Sequence, residues 1–143
     1  QKNMQYNVGI IRTKDEITDG IERIEKMKEE FKDVKAAGTS QFNPGWHEAL
    51  ALRNLLISSE AVAKSALLRE ESRGAHTRED FPEEKKEWLE YNIINRKGKN
   101  GKMETIKEKR GNPDPELNRI ANSTIDQLEG EVKKDHEKLM EKI

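Results

Sequence analysis

The chain has 143 residues, 38% of them charged and 32% hydrophobic, with 27 Lys+Arg against 28 Asp+Glu. A formal net charge of −1 argues against nucleic acid or an anionic lipid surface as principal partner, because both favour a basic excess. The absence of cysteine excludes disulfides, thiolate metal ligation and cysteine nucleophiles, and no apolar run approaches the roughly 20 residues of a membrane span or forms a secretory leader.

This balance suits one modest domain of long amphipathic helices, or a piece of an assembly whose other parts cover some of its surface. The cytoplasm is the expected compartment. Thr13-Lys14-Asp15-Glu16 is a capping box and predicts a helix start. Ile17, Ile21, Ile24, Met27, Phe31 and Val34 then follow at spacings of three and four, a single apolar stripe ending at Gly38. Gly20 inside this helix costs about 1 kcal/mol relative to alanine, or admits a close neighbour. Asn43-Pro44 predicts a second start, a cap residue followed by proline at the first helical position. The apolar residues from Trp46 to Leu68 occupy more than one stripe, so this helix is expected to be the most buried element, contacted from at least two sides and ending near Gly74.

Residues 75–86 read as irregular, because Phe81-Pro82 interrupts any helix. Trp88 to Arg96 and Met103 to Lys109 read as the arms of a hairpin turning at Asn100-Gly101. Gly111-Asn112-Pro113 is a break, and Asp114-Pro115 predicts one final helix running to about residue 142. Its narrow seam (Leu117, Ala121, Ile125, Leu128, Val132, Leu139) suits a helix lying on another surface, either elsewhere in this chain or on a second copy of it.

His47, His76 and His136 lie on separate segments without a close-spaced partner, which gives a metal site only weak support. No glycine-rich phosphate loop is present, and Gly98-Lys99-Asn100-Gly101 reads as a turn. The informative stretch is Arg69-Glu70-Glu71-Ser72-Arg73-Gly74-Ala75-His76-Thr77-Arg78-Glu79-Asp80-Phe81-Pro82, which gathers arginines, a histidine and carboxylates around a helix end. Two readings compete. Arg69 or Arg73 can pair with Glu71 or Asp80 in a structural network, with His76 packed beside a turn at Gly74; or Arg73, His76 and Arg78 can form an anion site. Balanced charge favours the network.

The pattern Arg69-x-Glu71-Ser72-Arg73-Gly74-x-His76-x-Arg78-x-Asp80-Phe81-Pro82 resembles the signature of the C-terminal domain of succinate dehydrogenase and fumarate reductase flavoproteins. Asn7-Val8-Gly9-Ile10-Ile11-Arg12-Thr13 resembles that family's lead-in, Phe42-Asn43-Pro44 the start of its long helix, and Trp88-Leu89-Glu90-Tyr91 the opening of its terminal hairpin. L-aspartate oxidase carries a related Glu-Ser-Arg-Gly-x-His segment, but Arg78 and the Trp88 hairpin are more similar to the dehydrogenase/reductase branch.

The resemblance implies a mainly α fold: a spectrin-repeat-like three-helix bundle over residues 1–74, a signature loop and β-hairpin over 75–110, and a linker and C-terminal helix over 111–143. Only Gln1 to Tyr6 would remain of the first bundle helix. It also implies a parent oxidoreductase of electron transport and the tricarboxylic acid cycle, peripheral to the membrane through its complex. There, FAD and the catalytic groups belong to other domains and electrons pass to an iron–sulfur subunit. No catalytic, cofactor-binding or metal-binding residue transfers to this chain, which is expected to brace the FAD-binding domain and to lack activity by itself. An autonomous helical interaction module, or the C-terminal domain of an L-aspartate oxidase, is the alternative.

Overall fold

In the computed structural model, which describes residues 1–39 and 41–140 (side chains 135–140 excepted), the described chain is mainly α-helical. It divides into two compact units, residues 1–109 and 110–143.

Within the first unit, α1 (Lys2–Asn7) is a short lead-in and α2 (Lys14–Phe31) begins at the expected box. The Thr13 hydroxyl accepts from the Glu16 amide at 3.3 Å, while Glu16 Oε2 accepts from the Thr13 amide at 2.7 Å. α2 stops seven residues before Gly38, and Val34 is exposed. The amides of Lys32, Asp33 and Val34 each bond a carbonyl three residues back, so the helix tightens and unwinds where nothing apolar holds it. The loop that follows is tied by Asn43, whose Nδ2 donates to the carbonyls of Ala37 (2.7 Å) and Thr39 (2.8 Å). The same residue's Oδ1 accepts from the Trp46 amide and caps α3 (Pro44–Leu68).

The core lies where α1, α2 and α3 meet. Ile17 and Ile24 are fully buried against Val8, Ala63 and Ala66, with Met4, Ile21, Met27 and Leu67 around them. α3 also carries the hairpin, so it is contacted from two sides. It is not the most buried element, however. Trp46, Leu50, Leu52, Leu55, Ile57 and Val62 are exposed, and its buried residues are confined to Leu56, Glu60, Ala63 and Ala66 on the face toward α2 and the hairpin.

One acid inside this packing joins three elements. Glu60, buried on α3, accepts from Lys28 of α2 at 2.5 Å and from Lys64 at 2.6 Å. Lys64 in turn donates to the Met103 carbonyl of the hairpin at 3.2 Å. Burial pushes the Glu60 carboxyl up, but the two lysines outweigh it and hold it below its ordinary value.

β3 (Tyr91–Lys97) and β4 (Met103–Lys109) form the antiparallel hairpin, in register from Tyr91 opposite Lys109 to Lys97 opposite Met103. The first arm starts later than Trp88: Lys86–Glu90 is a 3-10 turn that buries the Trp88 side chain. Gly101 takes φ +78 in the connecting loop, a conformation that costs glycine little. Asn95 Nδ2 donates to Ser65 Oγ at 2.8 Å and seats the hairpin on α3.

In the second unit the expected single helix is two, α4 (Pro115–Ala121) and α5 (Ile125–Met140). A second capping box divides them: the Thr124 amide donates to Gln127 Oε1 at 2.8 Å and the Gln127 amide to Thr124 Oγ1 at 3.3 Å. Arg119 of α4 bridges the break to Glu131 of α5 at 2.8 Å. The seam residue Leu139 lies outside the described side chains.

Gly20 admits α1. A β-carbon there would lie 3.0 Å from both Asn7 Cβ and Val8 Cγ2, and Asn3 Nδ2 donates to the Gly20 carbonyl at 2.9 Å. Gly20→Val is therefore expected to destabilise the chain by about 1–3 kcal/mol in urea unfolding. An unchanged unfolding midpoint would mean that α1 does not pack as described.

Candidate functional site

Two residues of the lead-in start the site. β1 (Ile11–Arg12) pairs in parallel with β2 (Thr77–Arg78), so the stretch read as irregular is stitched to the entrance of α2. Strands of two residues have no periodicity to read, which is why they escaped prediction. Just before β2 the chain reverses through Gly74 and Ala75. The Arg73 amide donates to the His76 carbonyl at 2.8 Å, the His76 amide donates back at 3.0 Å, and Gly74 takes φ +58 at the first central position.

Glu71 is fully buried and is the anionic centre of the junction. Its Oε1 accepts from Arg69 Nε (2.9 Å), Arg69 Nη2 (2.6 Å) and Arg73 Nε (3.2 Å). Oε2 accepts from Arg73 Nη2 (3.0 Å) and the Lys85 amide (2.9 Å). Burial alone would raise this carboxyl, but Arg73, the Lys85 amide and Arg69 together bring it down from 4.5 to about 2. Arg73 also reaches Glu84 at 3.1 Å.

Arg78 is the cationic centre and almost wholly buried. It forms a fork on Asp80, Nε to Oδ1 at 2.8 Å and Nη2 to Oδ2 at 2.6 Å. Its Nη1 donates to the carbonyls of Ala66 (2.9 Å), Leu67 (3.1 Å) and Arg69 (3.3 Å), which are left open where α3 ends. Asp80 Oδ2 meanwhile accepts from the Lys14 amide at 3.2 Å, in the first turn of α2. A cation thus closes one helix C-terminus and its partner anion faces another helix N-terminus, each matching the local dipole. Ser72 Oγ accepts from the Arg78 amide at 2.8 Å and donates to the Phe81 carbonyl at 2.9 Å, and the Phe81 ring lies 5.0 Å from the Arg78 guanidinium. Of the resembling stretch, the junction therefore holds Arg69, Glu71, Ser72, Arg73, Gly74, His76, Arg78, Asp80 and Phe81. Pro82 takes no side-chain hydrogen bond, having none to offer.

His76 has both ring nitrogens engaged. Nε2 lies 3.1 Å from the Arg69 carbonyl and must donate; Nδ1, 3.0 Å from Arg12 Nη2, must accept. The ring is neutral, and burial followed by nearby Arg12, Arg69 and Arg78 holds its pKa below the ordinary value. Arg12 is the member that sequence reasoning missed. It sits in the lead-in, 64 residues from His76 along the chain, and only the β1–β2 pairing brings them together. The other two histidines lie away from the junction: His47 stands edge-on to the Trp46 ring at 5.5 Å, and the His136 side chain is outside those described. Among the described residues no group of histidines and carboxylates could hold a metal, and no helix is long and apolar enough to cross a membrane.

Removing a buried carboxylate strands the arginines around it. Glu71→Ala is expected to cost about 3–5 kcal/mol in chemical denaturation, whereas Glu84→Gln, at the exposed end of the same arginine, should cost about 0–1 kcal/mol. Equal effects of the two would show that burial of Glu71 contributes nothing. The pH dependence carries a second expectation. Because the folded-state value is depressed from 4.5 to about 2, the contribution of Glu71 is complete above pH 4.5 and is lost as pH falls toward 2. Unfolding free energy measured over that interval should fall less steeply in Glu71→Gln than in the parent chain.

A family model described as "Fumarate reductase flavoprotein C-term" matches residues 1–127. One of the subunits of fumarate reductase (CoM/CoB) from Methanothermobacter marburgensis is 42% identical over 94 residues, which are 66% of this chain and 17% of that protein. The succinate dehydrogenase flavoprotein subunit of Rickettsia bellii is 38% identical over 95 residues, 65% of this chain and 16% of that one. Mycobacterium smegmatis Sdh1, solved in complex with UQ1, superposes with a TM-score of 0.76 at 36% identity, over 90% of this chain and 22% of its own. The chain therefore spans about a sixth of the length of these curated relatives. It belongs to the family of C-terminal domains of succinate dehydrogenase and fumarate reductase flavoproteins.

Proposed function

We propose that this domain is a structural brace within a larger FAD-dependent subunit that interconverts succinate and fumarate, and that the reaction is carried by the rest of that subunit. The observation that carries this reading is the commitment of the junction. Both nitrogens of His76, the guanidinium of Arg78 and both oxygens of Glu71 are spent on bonds within the chain, leaving no acid, base or nucleophile poised for a substrate. The residues present also do not fit a flavin. The parallel strands of the first unit are two residues long, and no glycine-rich turn leads from a strand into a helix there.

The FAD-binding domain of the same subunit is the partner this reading assigns. Support comes from α3, whose exposed Trp46, Leu50 and Leu55 suit burial against another surface. Transfer of electrons to an iron–sulfur subunit, and a peripheral position at the cytoplasmic face of a membrane complex, follow from the same family reading.

The test places the junction in the whole flavoprotein. Glu71→Ala is expected to lower the temperature at which flavin is released by several degrees while leaving KM for succinate unchanged. The isolated chain should purify without flavin and show no turnover with a dye acceptor. Unchanged flavin release, or a stoichiometric flavin on the isolated chain, defeats the reading.

A further inference from the structure

Four guanidiniums meet in the junction, those of Arg12, Arg69, Arg73 and Arg78, against three carboxylates, Glu71, Asp80 and Glu84. Every carboxylate is engaged by Arg69, Arg73 or Arg78. Arg12 has none: among the described residues no acid lies within salt-bridge distance of it. It is only 8% exposed, donates to the Val8 carbonyl at 3.3 Å and to His76 Nδ1 at 3.0 Å, and keeps its buried Nε without a partner. Burial, and after it the charge of Arg78, push its pKa down. A cation removed from water without a counter-ion is costly, and an arriving anion would relieve that cost.

The space beside Arg12 is a groove of about 520 Å³. Arg12, Arg69 and His76 are joined in its polar lining by the neutral Ser65, Asn92 and Asn95, and Val62, Trp88 and Tyr91 are among its apolar and aromatic residues. Lys107 lies over the rings of Trp88 and Tyr91, but its charge is met by Glu87 at 3.4 Å. One uncompensated positive charge beside an apolar trough matches a single negative charge on an apolar body. A phosphate dianion would require a second free cation.

We propose that this groove binds an organic monocarboxylate, with its carboxyl group paired to Arg12 and its hydrocarbon body against Val62 and Tyr91. The acid can be a free metabolite or a side chain from the remainder of the subunit. Guanidinium–carboxylate geometry suits either, and neutral His76 places no second charge on the ligand.

Titrating the unaltered chain with sodium butyrate at constant ionic strength, followed by NMR of the arginine Nε–H and indole N–H signals, tests the proposal. The expected result is a saturable shift of the Arg12 and Trp88 signals with butyrate and none with butyramide or chloride. Arg12→Gln should weaken binding at least tenfold. Should that variant fail to fold, Tyr91→Ala, outside the junction, is expected to weaken butyrate more than acetate. No saturation, an equal response to chloride, or equal saturation by inorganic phosphate overturns the assignment. A further arm, resting on the proposed function, separates the two sources by equilibrium dialysis of butyrate against the intact flavoprotein. Retained binding identifies a free acid, and loss of binding identifies a carboxylate supplied by the polypeptide itself.

Discussion

The fork between buried Arg78 and the more exposed Asp80 decides how the chain is tied together. Burying a guanidinium is costly, and that cost offsets most of the attraction to its acid, so the pair adds little net stability. Its value here is positional. Arg78 Nη1 takes three carbonyls at the end of α3, and Asp80 takes an amide at the start of α2. The same two side chains thereby fix where one helix stops and where the other starts. Ser72 holds the backbone that presents them, accepting from the Arg78 amide and donating to the Phe81 carbonyl.

The unusually charged composition takes on meaning in this light. A chain with little apolar content builds part of its interior from ions, and it does so with acids placed between cations of different segments. Glu60 joins α2, α3 and the hairpin through Lys28 and Lys64, and Glu71 joins the end of α3 to the segment around Lys85 through Arg69, Arg73 and a backbone amide. Each arrangement is directional, so it selects one packing among several that would bury similar apolar area. The apolar contribution is concentrated around Ile17, Ile24 and Ala63, where α1 approaches closely at Gly20.

Much of this was legible beforehand because the signals are local. Caps act within four residues, so Thr13-x-x-Glu16 and Asn43-Pro44 located the starts of α2 and α3. The 72–78 segment announced a charged turn, and its glycine is where the backbone needs a positive φ. The resemblance carried by Arg69 to Pro82 agreed with the family whose model matches residues 1–127. What escaped were boundaries and partners. The apolar content of α3 implied a buried helix, but nothing in it says that only the face toward α2 and the hairpin is covered. The box at Thr124-x-x-Gln127 is readable in the sequence, but the apolar seam runs on across it and conceals the break.

The sequence by itself determined the starts of α2, α3 and α4, the hairpin, the charge-rich loop and the family, because each rests on residues near one another in the chain or on a short pattern. Tertiary structure alone decided that α3 ends at Leu68 and not near Gly74, since the carbonyls that release the helix are held by Arg78, nine or more residues further along. It also decided that Arg12 belongs to the junction. A parallel pairing of two residues, too short to leave any periodic trace, carries that guanidinium across 64 positions to His76 and sets it there with no acid of its own among the described residues.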